Sequence, residues 1–170
     1  ALPFSFIVGG ERIHGIPTAW RPTLTRRRID AALVETIYEG TDPATGLRLR
    51  AEALAYSDYP VREWTVWLTA TGDAPTPPIE SVQALDAPFN AASPLLWSCN
   101  GDFYNEAGYT PTETPLAPGA ELSFAPHGGR PSDSAFPYFR LAFAGCGLTL
   151  AVGWPAQWEA RFRLEEDGVE

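Results

Sequence analysis

Apolar and polar side chains alternate along most of this chain, and no stretch sustains the three-to-four-residue spacing of an amphipathic helix. The pattern predicts a strand at Phe4–Val8 followed by a turn at Gly9-Gly10. A long strand is expected over Leu24–Glu39, ending at Gly40, with one helical turn allowed at Asp30–Leu33. After a turn at Thr41–Gly46, Leu47–Tyr56 puts Leu47, Leu49, Ala51, Ala53 and Ala55 on one face and Arg48, Arg50 and Glu52 on the other. In Arg62–Ala70, Trp64, Val66 and Leu68 share a face opposite Thr65, Trp67 and Thr69. Pro78–Leu85 reads as its return partner, so residues 47–86 are expected to form an antiparallel meander.

Residues 87–120 break the pattern. They are rich in Pro, Gly, Ser, Thr and Asn, with scattered aromatics, and predict a long loop with short strands at most at Leu95–Ser98 and Phe103–Tyr104. Glu121–Ala125 resumes as a strand, the polar loop Gly128–Ala135 follows, and Pro137 leads into a strand at Tyr138–Ala144. A turn at Gly145-Cys146-Gly147, a strand at Leu148–Val152, a break at Gly153-Trp154-Pro155 and a strand at Gln157–Leu164 complete the reading. In the last of these, Trp158, Ala160, Phe162 and Leu164 share a face. Roughly nine to eleven short strands, spaced by seventeen prolines and fifteen glycines, define an all-β, antiparallel β-sandwich over residues 1–170 as a single domain. Periodicity alone does not separate this from a jelly roll.

Composition narrows the function classes. With 45% hydrophobic and 19% charged residues the chain is globular in type. No run approaches the roughly 20 apolar residues of a membrane span, and Leu2–Val8 lacks the basic flank and cleavage site of a signal peptide. The net charge of −9 argues against nucleic acid, whose phosphates need a basic surface. Arg26-Arg27-Arg28 is the one basic cluster, and on a strand it divides between two faces. Methionine is absent, so the chain is expected to be processed or, more simply, part of a longer polypeptide; the absence of lysine is read as the mark of a GC-rich genome. Cys99 and Cys146 are expected as free thiols, and with no N-x-S/T site present the reading favours a bacterial cytoplasm.

Chemistry-bearing motifs are few. His14 and His127 have no metal-ligand spacing, and no nucleophile elbow, phosphate loop or dinucleotide fingerprint occurs, so neither metal nor cofactor is expected. Glycoside hydrolysis needs two carboxyl groups flanking the bond, and Asp102 and Glu106 are the best placed. Both are read as turn or solvated acids, so no catalytic residue is assigned. Trp97 to Asn105 offers stacking rings and polar groups within nine residues. Trp97, Asp102 and Tyr104 are therefore candidates for docking on another surface, the preferred reading, or for direct sugar contact.

Several segments, in order, resemble the N-terminal β-sandwich domain of glycoside hydrolase family 36, the α-galactosidase-like enzymes. They are Asp58-Tyr59-Pro60, Glu63-Trp64, Thr71-Gly72, the run Ile79–Asp86, Gly101-Asp102, and the stretch from Gly128 to Phe162. The resemblance covers roughly residues 50 to 165. It implies a supersandwich of galactose mutarotase-like type, followed in the same polypeptide by a catalytic (β/α)8 barrel. In that family both catalytic aspartates of the retaining reaction on terminal α-galactosides sit in the barrel, which nothing in this chain resembles. The implied role is non-catalytic: packing on the barrel, shaping its substrate entrance and supporting homo-oligomers. The family's R-x-S-H-Q-x-N-P-F loop is matched by Arg130, Ser132 and Pro137, with Asp133-Ser134 and Phe136 replacing its His-Gln and Asn. This departure favours interface positioning for Arg130, Ser132 and Phe136 over substrate contact. The implied partners are thus the barrel and a galactoside-type sugar, with no nucleic acid and no membrane. A free-standing carbohydrate-binding module and a purely structural assembly domain are the competing readings.

Overall fold

A computed structural model describes residues 2–89, 92–101, 105–143 and 145–165. The chain is all-β and divides into two compact units, Ala1–Pro88 and Phe89–Glu170. Each unit packs two sheets around its own core, and all strand pairings among the described residues are antiparallel except an isolated bridge between Pro118 and Leu164. No helix among the described residues is long and apolar enough to cross a membrane.

The first unit contains β1 (Ser5–Val8), β2 (Glu11–His14), β3 (Thr23–Arg28), β4 (Leu33–Thr41), β5 (Leu47–Tyr56), β6 (Arg62–Ala70) and β7 (Ile79–Gln83). Its sheets run β2-β1-β7 and β3-β4-β5-β6. Gly9 and Gly10, at φ 57° and 84°, close the β1–β2 hairpin with Val8 opposite Glu11, a two-residue turn that needs positive φ at both positions. Between the sheets lie Phe4, Phe6, Trp20, Leu47, Leu49 and Ala51. The alternation in β5 thus does what its sequence predicts. Gly40 is fixed by contact: a Cβ there would come within 2.6 Å of Ile16 Cγ2 and 3.3 Å of Trp20.

Two expectations for this unit are corrected. The long strand Leu24–Glu39 is a hairpin, β3 then β4. Asp30 Oδ1 accepts from the amides of Ala32 at 2.7 Å and Leu33 at 2.8 Å, and Ile29 N donates to Leu33 O at 2.9 Å. An aspartate that satisfies its own downstream amides makes a turn where propensity alone continues a strand. Nor do residues 47–86 form a meander. β5 and β6 pair over nine positions, but β7 leaves β6 and pairs with β1 in the opposite sheet.

A polar knot anchors β7 there. Ser5 is fully buried, with its Oγ 2.5 Å from Asp86 Oδ2 and 2.9 Å from Gln83 Oε1. Arg12 donates to Ser5 Oγ at 3.0 Å and to Gln83 Oε1 at 3.1 Å. His14 Nδ1 lies 3.5 Å from the same Asp86 oxygen. A buried hydroxyl left unpartnered would cost about 1–3 kcal/mol, so Gln83 and Asp86 select β1 as the neighbour of β7. Trp64 Nε1 adds a bond to Ala84 O at 2.7 Å.

The second unit contains β8 (Leu95–Ser98), β9 (Thr112–Pro115), β10 (Glu121–Phe124), β11 (Tyr138–Phe143), β12 (Cys146–Ala151) and β13 (Ala160–Arg163). Its sheets run β12-β11-β8-β9 and β10-β13. Leu96, Leu116, Ala135, Phe139, Leu141 and Trp158 are buried between them. Here β9 is a strand inside the expected loop 87–120, and it pairs with β8 from Leu95–Pro115 to Ser98–Thr112. The expected strand Phe103–Tyr104 lies outside the described residues. Cys146 and Gly147 belong to β12, so of the expected Gly145-Cys146-Gly147 turn only Gly145, at φ 78°, takes a turn conformation. The final strand begins at Ala160 and not at Gln157, because Gln157 and Trp158 donate side-chain bonds to Pro126 O at 2.5 Å and Pro131 O at 2.8 Å. The shared face holds: Trp158, Ala160, Phe162 and Leu164 all join the core.

Candidate functional site

The outward face of the larger sheet in the second unit gathers the candidate residues. In β11, Phe139 and Leu141 point into the core, so Tyr138 and Arg140 point out. In β8, Leu96 is fully buried and Trp97 takes the outer face. Trp97 stands opposite Arg140 on β11 and Glu113 on β9, and Arg140 stands opposite Thr149 on β12. A row Glu113–Trp97–Arg140–Thr149 therefore crosses four strands. The Arg140 guanidinium carbon sits 5.7 Å from the Trp97 ring centre, a cation–π contact worth about 0.5–1 kcal/mol at an exposed site.

Next to this row lies an aromatic group. Phe136 stacks on Tyr138 with centroids 5.2 Å apart and 22° between planes, and meets Tyr109 edge-on at 5.6 Å. Tyr109 and Tyr138 remain 52% and 54% exposed, unusual for rings already in contact. The group is locked from below. Phe136 N donates to Cys99 O at 2.9 Å, Gly101 N to Gly108 O at 2.8 Å, and Asn105 caps its short helical turn through Ala107 N at 2.9 Å. Gly101, at φ 71°, lies so close that a Cβ would meet Phe136 Cδ2 at 2.7 Å and Ser132 O at 3.1 Å. Burial pushes the Cys99 thiol up from its ordinary range, partly offset by a bond from the Gly101 amide. Cys99 and Cys146 are both free thiols.

Of the sequence candidates, Trp97 and Phe136 thus occupy one sheet face, and Ser132 packs its backbone against Gly101 beside Phe136. Arg130 is exposed at the tip of the loop closed by His127 N donating to Asp133 O at 3.0 Å. Asp102 and Tyr104 lie outside the described residues. Sequence reasoning missed Tyr109, Tyr138 and Arg140. The signal for two of them was present, since alternate positions opposite the apolar Phe139 and Leu141 must face outward.

This face offers flat rings, one guanidinium and hydroxyl groups, with Glu113 as the carboxylate of its cross-strand row. Among the described residues no group of three His, Cys, Asp or Glu side chains could hold a metal ion. The Ser5 knot of the first unit is structural, because a fully buried hydroxyl cannot reach a substrate. No protein-family model matches the chain, and no curated protein sequence matches it.

Proposed function

We propose that this chain is the non-catalytic N-terminal part of an α-galactosidase-like glycoside hydrolase. It packs the aromatic sheet face of its second unit on a catalytic (β/α)8 barrel and helps to shape the substrate entrance. The supersandwich arrangement and a reducing cytoplasm belong to this reading. The observation that carries it is the exposure of Tyr109 and Tyr138 beside Phe136 and the Trp97–Arg140 pair. Contiguous exposed rings with one arginine among them match the composition of interface cores. The ordered segments that resemble the family support the same reading, since Gly101, Ser132 and Phe136 fall within them.

The test uses the full polypeptide encoded with this chain. Its activity on p-nitrophenyl α-galactoside is compared between wild type, Tyr138→Ala and Tyr109→Ala. The expected result is hydrolysis by wild type, with activity and thermal midpoint both lowered in the variants. A full polypeptide without a barrel, or variants with unchanged activity and midpoint, overturns the reading. The exposed rings also favour a second reading, a carbohydrate-binding module acting alone. It predicts that methyl α-galactoside quenches or shifts tryptophan fluorescence of the 170-residue chain, and that Trp97→Phe abolishes the change.

A further inference from the structure

The outward face of β3-β4-β5-β6 in the first unit carries a feature that the proposed function does not use. Trp67 is 55% exposed in the middle of a regular strand. The register sets it opposite Arg50, which is opposite Glu39, while Thr69 stands opposite Arg48. Arg48, Arg50, Glu52, Trp67 and Thr69 line a shallow hollow of about 210 Å³. Arg50 bonds to Glu52 at 2.7 Å and lies 3.5 Å from Glu39, which is 3.9 Å from Arg48. The two arginines and two glutamates pair with one another yet stay about a third or more exposed.

We propose that this hollow is a binding site for a single neutral pyranose ring, with Trp67 as the stacking platform and Arg48, Arg50 and Glu52 as hydroxyl partners. The charge balance selects the ligand. A phosphate or carboxylate would meet Glu39 and Glu52, and a cation would meet Arg48 and Arg50. A purely aromatic ligand would desolvate all four without replacing their hydrogen bonds. A sugar ring supplies both an apolar face for the indole and neighbouring hydroxyls. These can donate to carboxylate oxygens and accept from guanidinium N–H groups. Size agrees, since drug-sized ligands need roughly 300–1,000 Å³ and this hollow, at about 210 Å³, is smaller. The ion pairs spare the site the entropy of ordering long side chains on binding.

The test is a titration of the 170-residue chain, labelled with ¹⁵N in its six tryptophan indoles, with methyl pyranosides of galacto, gluco and manno configuration. Trp67→Phe assigns its signal. The expected result is a saturable, millimolar shift of the Trp67 indole resonance with at least one configuration, weakened about tenfold in Arg50→Ala. Trp67 is exposed and the Arg50 ion pairs are screened by solvent, so the urea midpoint of each variant should stay close to wild type and exclude misfolding as the cause. A Trp67 signal that stays still with all three sugars, or a shift unchanged by Arg50→Ala, overturns the proposal. The site lies on the first unit, so this result is separable from any effect of Tyr109→Ala or Tyr138→Ala.

Discussion

The two units face the same problem, covering the apolar side of a four-stranded sheet, and use different materials. The first relies on long, regular strands. β4, β5 and β6 pair over nine positions each, and Leu47, Leu49 and Ala51 in β5 share a core with Phe6 of the facing sheet, Phe4 just before it, and Trp20 from the short helical turn Thr18–Trp20. The second has strands of four to six residues and fills its core with rings. Phe139 meets Phe124 and Phe162 at 5.1 Å each and Trp158 edge-on at 5.9 Å. Short strands offer few cross-strand pairs, so each inward position must bury more surface. Aromatic side chains bury about 150–250 Å² each. The outer face of the second unit carries further rings, whereas the outer face of the first sets Trp67 among arginines, glutamates and threonines, with Ile37 and Leu54.

Phe139→Ala tests the difference most severely. It removes the hub of the aromatic core and should cost about 3–5 kcal/mol, against about 2–5 for Leu49→Ala in the first unit. Urea denaturation of both variants ranks them, and a larger loss for Leu49→Ala would break the contrast. The glycines come next. Gly101→Ala combines a φ of 71° with a 2.7 Å approach to Phe136, and should cost about 1–3 kcal/mol. It should also displace the Phe136–Tyr138 stack. Gly40→Ala would press its Cβ to 2.6 Å from the Ile16 Cγ2 methyl, held on a β-branched carbon, and 3.3 Å from the Trp20 carbonyl, with an overpacking cost of about 1–3 kcal/mol and no effect on the aromatic face. Near-ultraviolet circular dichroism separates the two.

These positions also show what the sequence carries. Alternation announced the buried face of β5 and set Trp67 on the face of its strand opposite Trp64, Val66 and Leu68, because each error in a long strand would have to be repeated down its length. The four-residue β9 carries too little pattern to stand out from a loop rich in proline and threonine. The break at Asp30 depends on one side chain turning back on its own backbone, and the pairing of β7 with β1 on contacts between Ser5 and Asp86, far apart in the chain. Periodicity sees neither. At the candidate site, Trp97 and Phe136 were visible as aromatics in a polar stretch, while Tyr138 was hidden by being counted with its strand.

A smaller effect separates the units by a single local contact. Asp30→Ala removes two amide partners from the β3–β4 turn and should cost about 0.5–1.5 kcal/mol, read from the urea midpoint. Smallest of all is the acid response. The Thr45 hydroxyl and then the Ala44 amide hold the Asp42 carboxyl below its usual range, and Arg161 followed by Ser123 does the same for Glu159. A lowered folded-state pKa gives stability that is complete above the unfolded carboxylate pKa and is lost as pH falls through the folded value. Both groups are solvent-facing, so the losses should be slight. Asp42→Asn should flatten the acid limb for the first unit and Arg161→Ala for the second, as measured by urea midpoints between neutral and acidic pH.

The Ser5–Asp86 knot has a consequence in time. β1 is synthesised before the other strands of its unit, yet it lies between β2 and β7, and the side chains that bury its serine are at positions 83 and 86. The opening strand must wait for the last strand of its unit to leave the ribosome before its sheet can close. Folding of this unit is therefore gated by a non-local closure. Removing the first few residues would unmake the end of the unit as surely as its beginning.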